Sequence, residues 1–212
     1  MLPILAFDDG AFAPQQSYYF DPAWAEPAES AVGLLWKFAR ANGLPGHQIV
    51  AQLSARPIDP YEGLAASREC IDAMRLAKLL RITRKQGLDS LEHANNLRPL
   101  HPVLRHCRAC MRYGYHAMVH QFLEASHCPA HGIWLDEACR NCGQFTDFRL
   151  SAHTLDAPFD CAHCRRPLVG FRWSSVSPRP LPKYVRVAMT RAFMGLGHTG
   201  PRRKSWRLRH RY

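Results

Sequence analysis

A mainly α-helical fold, with small metal-stabilised modules and short β-ribbons attached, is what this sequence predicts, on three observations. Apolar residues recur at helical spacing in several stretches before residue 100 and again near residue 190. Seven of the eight cysteines, joined by one histidine, fall into four close pairs: Cys107/Cys110, Cys128/His131, Cys139/Cys142 and Cys161/Cys164. Proline-rich breaks at Pro57 and Pro60, at Pro99 and Pro102, and from Pro178 to Pro182 punctuate the chain. The expected organisation is an extended arm over 1–26 and a helical, helix-turn-helix-like lobe over 27–100. A lobe of two tandem zinc fingers over 101–172 and a basic C-terminal helix and tail over 173–212 follow.

Up to Trp24 the chain mixes Pro, Gln, aromatic and acidic residues without period, which reads as an arm. Beyond Pro27, Val32, Leu35, Trp36 and Ala39 share a helical face that leaves Lys37 and Arg40 outside it. Ser30 or Glu29 serves the N-terminus of that helix and Gly43 its stop. A short second helix spans His47 to Leu53, with Ile49, Val50 and Leu53 on one side. The pair resembles a small helix-turn-helix, a packing motif before it is a DNA reader. Tyr61 to Leu80 reads as one helix with Leu64, Ile71, Met74, Leu79 and Leu80 in the core and Cys70 as a small buried apolar residue.

Asp89-Ser-Leu-Glu92 has the form of a helix cap, preceded by Arg81, Arg84 and Lys85 at a solvated helix end. Between Cys110 and Cys128, Tyr115, Met118, Val119, Phe122 and Leu123 recur at helical spacing, so a helix over Tyr115 to Glu124 should bridge the two ligand pairs. Phe145, Phe148, Leu150 and Leu155 alternate with polar residues, as short ribbons do. Lys183 to Met194 forms a last helix, with Val185, Ala188, Met189, Ala192 and Phe193 roughly on one side.

The cysteine spacing is that of metal ligands. C-x2-C-x17-C-x2-H runs from Cys107 to His131, and C-x2-C-x18-C-x2-C from Cys139 to Cys164. Two ligands separated by two residues face one ion from a tight turn, and two such turns complete the tetrahedron that Zn²⁺ prefers. Eight ligands make two structural zinc sites, because each set of four leaves no open position for catalytic water. Sequential and interleaved partitions use the same eight residues; spacers long enough for independent modules favour the sequential one. His127 and His163 break the two-residue spacing and read as bystanders. A disulfide framework is the alternative. Met1 to Gly10 lacks a basic n-region and no apolar run reaches membrane-spanning length, so the thiols are expected in a reducing cytosol, away from any membrane.

Net charge is +11, unevenly placed. From Cys161 onward there are 13 Lys and Arg and no Asp or Glu, so the other 15 basic residues face all 17 acidic ones. The one-signed tail, with Arg202, Arg203, Lys204, Arg207, Arg209 and Arg211, suits the phosphate backbone of DNA without sequence preference.

Catalytic signatures are missing. Glu92-His93-Ala-Asn-Asn96 has the residue types of an HNH nuclease, but its histidine and asparagine stand too close to leave room for that fold's ribbon and helix. No zinc-deaminase, H-E-x-x-H or P-loop signature occurs, and the chain reads as a non-enzyme.

Two separated stretches carry a family resemblance. Pro27-Ala-Glu-Ser-Ala-Val-Gly-Leu-Leu-Trp-Lys-Phe-Ala-Arg-Ala-Asn-Gly-Leu44 has an acidic-Ser pair, an apolar helix with an internal Arg and an Asn-Gly stop. Cys107-Arg-Ala-Cys110, His127-Cys-Pro-Ala-His-Gly-Ile-Trp-Leu135 and Cys139-Arg-Asn-Cys-Gly143 surround a Cys-Pro-x-His-Gly core. Together they resemble the TniQ family of bacterial transposition proteins over roughly residues 27 to 170. That resemblance implies a cytoplasmic, non-catalytic adaptor that links a target-recognition module, DNA-binding or RNA-guided, to the AAA+ ATPase of a transposon. It also implies sequential zinc sites. Longer family members continue into a second helical, DNA-binding half, whereas this chain passes into its basic tail, which favours non-specific DNA contact. A zinc-dependent, sequence-specific transcription regulator is the other expectation.

Overall fold

Ser30 starts the central helix, α1 (Ala31–Asn42), by accepting the Gly33 N–H on its hydroxyl, and Gly43 ends it in the left-handed region at φ 61°. The computed structural model describes residues 18–54, 56–91, 98–169 and 179–195. Nine of the twelve residues of α1 are buried. Lys37, expected on the outer side, is among them: the segment from Tyr18 to Ser30 folds across that side of the helix, with Phe20 and Trp24 buried and their rings edge to face at 5.5 Å. From residue 18 on, the expected arm is therefore part of the core; its first 17 residues lie outside the described ones.

The second helix, α2 (Gly46–Leu53), buries Ile49, Val50 and Leu53 as its pattern predicts. Beyond it the expected helix over Tyr61 to Leu80 is replaced, except at its end, by strand β1 (Leu64–Ala65), a turn, and α3 (Ala73–Leu80), capped by the Asp72 carboxylate on the Met74 N–H. Long-range pairing decides this. The strand β1 pairs antiparallel with β2 (Arg149–Leu150), Leu64 opposite Leu150. Cys70 consequently sits exposed in a turn, and Met74 is 55% exposed while Leu76, Ala77 and Leu80 carry the packing.

Gly63 makes the pairing possible. It holds φ 70°, and a Cβ there would lie 2.5 Å from the Leu150 carbonyl oxygen. Gly63→Ala is expected to lower stability by about 2–4 kcal/mol, from left-handed strain plus overpacking against backbone, and urea unfolding measures it.

Asp89 and Ser90 end a helix instead of starting one. Arg81, at φ 52°, stops α3, and Thr83 with Gln86 builds a reciprocal capping box for α4 (Arg84–Asp89). The side chains of Arg81, Arg84 and Lys85 are exposed there, as expected.

The expected helix over Tyr115 to Glu124 is also absent. The short α5 (Arg108–Met111) is followed by turns and a 3-10 turn at Met118–His120. Two backbone bonds hold this segment against the N-terminal chain: Ser30 N–H to His116 O at 2.8 Å and Met118 N–H to Ala28 O at 2.9 Å. Its apolar side chains then divide, Met118 entering one core and Tyr115, Val119 and Phe122 another, which a one-faced helix could not do.

Leu155, expected in a ribbon, lies in the one-turn α6 (Ala152–Leu155), started by the Ser151 hydroxyl. Here α2 meets α6 closely: a Cβ on Gly46 would stand 2.5 Å from the Ala152 carbonyl oxygen. The last helix, α7 (Lys183–Phe193), buries Val185, Met189 and Ala192 as predicted, with Ala188 and Phe193 half-buried.

Two apolar cores result. The larger runs from Phe20 to Phe159 and takes residues from both sides of position 101, with Trp36 at its centre donating its indole N–H to Thr154 O at 2.7 Å. The smaller contains Cys107, Cys110 and Cys128 and is closed by α7. Among the described residues the molecule is mostly helical, with this two-strand sheet and two Cys/His clusters attached to it. Among the described residues no helix is long and apolar enough to cross a membrane.

Candidate metal centres

Three of the four ligand pairs are built as the same hairpin. The carbonyl of the first ligand accepts the N–H of the residue after the second: Cys128 from Gly132 at 2.8 Å, Cys139 from Gly143 at 2.7 Å, Cys161 from Arg165 at 2.9 Å. The N–H of the first ligand donates across the turn, to Ile133 O, Gln144 O and Arg166 O respectively. Antiparallel bridges His127/Trp134, Ala138/Phe145 and Asp160/Pro167 close the hairpins. The residue after the second ligand is left-handed each time, at φ 64°, 74° and 57°. Glycine fills that place twice; Arg165 takes it with the strain a side chain brings. Cys107/Cys110 differs, since Cys107 precedes α5 and Cys110 lies within it.

These turns gather the eight ligands as the first four and the last four, the sequential partition. In each group the ligand atoms all lie within 4.8 Å of one another. His131 Nδ1 stands 3.5, 3.4 and 3.4 Å from the sulfurs of Cys107, Cys110 and Cys128. The Cys110–Cys128, Cys139–Cys164 and Cys142–Cys161 sulfur pairs are each 3.7 Å apart. A tetrahedral ion bound at about 2.3 Å to sulfur and about 2.0 Å to nitrogen has ligand-to-ligand edges of about 3.8 Å and 3.5 Å. Disulfide sulfurs would be about 2 Å apart, and all eight cysteines are free. The donor sets thus fit a soft tetrahedral metal, four ligands each.

The two centres differ in burial. Cys107, Cys110 and Cys128 are at most 1% exposed, whereas Cys142 and Cys164 are half-exposed. Proton sharing with Cys107, together with burial, pushes the Cys128 thiol up to about 12, and burial does the same for Cys161. The Arg166 backbone N–H leads in holding Cys164 down to about 6. A cation entering the cluster must therefore displace protons. Metal content is expected to fall on acidification, with protons released on loading, as potentiometric titration would record.

His127 and His163 stay outside both clusters. The His127 ring lies 3.9 Å from that of Trp134, and the His163 Nε2–H donates to Phe145 O at 2.7 Å, tying the two hairpins of the second centre together. The Asn141 side-chain amide donates to the Cys164 sulfur at 3.4 Å. The spacing alone did not reveal these supports, nor the Tyr184 hydroxyl 3.3 Å from His131 Nε2, since the partner comes from α7.

Behind the first centre lie three buried histidines. Burial lowers His106 to about 4, His116 to about 3 and His120 to about 4. His116 donates its Nε2–H to Arg105 O at 2.8 Å, which leaves Nδ1 to accept the Ser30 hydroxyl at 2.6 Å. Both side chains are 0% exposed, so this Ser–His contact is a strut. A histidine whose folded pKa lies below its unfolded value near 6.5 stabilises fully above that pH and loses this as pH falls towards the folded value. Stability is expected to drop between pH 6.5 and 4 by up to about 1.4 kcal/mol per pH unit for His116. Urea unfolding of wild type and His116→Gln at equal metal content tests this, the variant giving the shallower pH slope.

The tail residues Arg202, Arg203, Lys204, Arg207, Arg209 and Arg211 lie outside the described residues. Of the same basic segment, Arg165, Arg166, Arg179, Lys183, Arg186 and Arg191 are exposed, Arg186 paired to Glu26 at 2.8 Å. No family model and no curated protein matches this chain.

Proposed function

We propose that this chain is a non-catalytic, TniQ-like adaptor in DNA transposition, carrying two structural zinc ions and linking a target-recognition module to an AAA+ ATPase. The observation that carries the reading is a junction. The two stretches that bear the resemblance lie more than 60 residues apart in sequence. Even so, Glu29 forms an antiparallel bridge with Ala117 between the halves of the first centre, and Ser30 bonds His116 by backbone and side chain. An acidic-Ser pair whose work is to clamp a helix to a cysteine-rich module is a scaffold feature. Complete ligand sets and a sealed Ser–His contact support the absence of catalysis.

The exposed Arg165, Arg166, Arg179, Lys183 and Arg191, with the basic sequence of the tail, support non-specific DNA contact. Sequence-specific regulation through α1 and α2 is less well supported. The exposed side chains of α2 are His47, Gln48 and Ala51, without the Lys or Arg that anchors a recognition helix on phosphates.

DNA binding by the purified chain should be weak, sequence-tolerant and steep in salt, with a log–log slope approaching about −5 if all six tail cations engage phosphates. Co-purification with the AAA+ ATPase of a TniQ-type transposon, lost when the fold is disrupted, is the accompanying expectation. One tight operator with no ATPase contact would replace this reading by the transcription regulator.

A further inference from the structure

The helix α7 covers the first metal centre and not the second. Leu181, Val185, Met189 and Ala192 share a buried cluster with Cys107, Cys110 and Cys128. In the first turn of α7 the Tyr184 hydroxyl is 3.3 Å from His131 Nε2, the nitrogen left over when Nδ1 faces the three sulfurs, and the two rings meet edge to face at 5.9 Å. Arg186 holds the helix to Glu26, and the Arg98 guanidinium, 3.9 Å over the Phe122 ring, reaches Ala192 O at 2.7 Å. At the second centre the side chain that reaches a sulfur is that of Asn141, whose amide donates to Cys164 from within its own hairpin.

We infer that Tyr184 is an outer partner of the first metal centre, and that docking of α7 is coupled to the loading of that centre alone. An imidazole that ligates through Nδ1 keeps its one proton on Nε2, and that N–H donates to the Tyr184 oxygen, fixing both tautomer and ring orientation. Metal removal frees the ring to take the other tautomer and leaves three crowded thiols beneath Val185 and Met189. The coupling is reciprocal: if docking strengthens metal binding by some factor, metal strengthens docking by the same factor. The inference needs the metal ligand set only and is independent of any role in transposition.

The test uses the full chain loaded with cobalt and challenged with a chelator. The first centre, with three thiolates and an imidazole, and the second, with thiolates alone, are told apart by their visible spectra. Tyr184→Phe, which keeps the ring, is expected to weaken the first centre about tenfold and leave the second unchanged. Val185→Asp, which undocks α7 with Tyr184 intact, should weaken the same centre. Tryptic cleavage after Lys183, Arg186 and Arg191 should accelerate when the first ion is withdrawn and stay slow in Cys139→Ser. First-centre affinity within about twofold of wild type in Tyr184→Phe overturns the inference. So does cleavage that ignores the first ion or answers equally to the second. A chain that loads no metal at the first centre overturns it together with the ligand assignment.

Discussion

Cys128→Ser is expected to reduce bound metal from the two zinc ions proposed per chain to one and to unfold the smaller core with it. Structural zinc contributes about 10–16 kcal/mol in isolated modules, comparable to the whole stability of a domain, so losing one ligand of four is far more than a point defect. The consequence is wide because Cys107, Cys110 and Cys128 are themselves core residues, packed with Tyr115, Val119, Phe122 and α7. Cys139→Ser should also remove one ion, yet its effect should stay near the hairpins at 139–145 and 160–167, where two ligands already face solvent. Elemental analysis counts the ions, and near-UV circular dichroism reads the tyrosines and phenylalanines of the smaller core. Unchanged metal content in either variant would show that the ligand set is wrong.

Lys37→Ala is expected to destabilise the chain by about 3–5 kcal/mol, because it strands a buried carboxylate. Lys37 and Glu29 are each 1% exposed at the side chain, with Nζ 2.7 Å from one carboxylate oxygen and 2.8 Å from the other, and the ammonium also donates to Trp24 O at 2.6 Å. Burial raises the Glu29 carboxyl from 4.5 to about 7 in spite of Lys37. A folded pKa above the unfolded one means that this contribution is whole below pH 4.5 and is lost as pH rises through about 7. Without the ammonium the carboxyl is pushed further up, so the penalty of Lys37→Ala should stay level up to about pH 7 and grow above it, by at most about 1.4 kcal/mol per pH unit. Glu29→Gln combined with Lys37→Met, which removes both charges, should recover most of the loss. Urea unfolding of the three chains at pH 5 and pH 8 decides this, and a pH-independent penalty would refute it.

The sequence-based expectations divided along a physical line. Where a property depends on residues within one turn of each other, the expectation holds, apart from the helix cap expected from Asp89 onward, where a helix ends. Ser30 and Gly43 bound α1, the face of Ile49, Val50 and Leu53 is buried in α2, Val185, Met189 and Ala192 are buried in α7, and pairs spaced by two residues turn their ligand atoms together. Where it depends on a distant partner, the reading failed. Leu64 belongs to a strand because Leu150 lies beside it, Lys37 is buried because Trp24 and Glu29 cross over it, and residues 115–124 are bent because the N-terminal chain claims their backbone.

Composition and spacing thus determined which atoms can hold metal, since ligand geometry is a local matter of a few bonds. Only the tertiary structure decided that the first four and the last four ligands cluster separately, that one cluster lies inside a core and the other at the surface, and that Tyr184 reaches His131 from 53 positions away. Such choices are made by burial of apolar surface and satisfaction of backbone donors across the whole chain, and no window of neighbouring residues contains them.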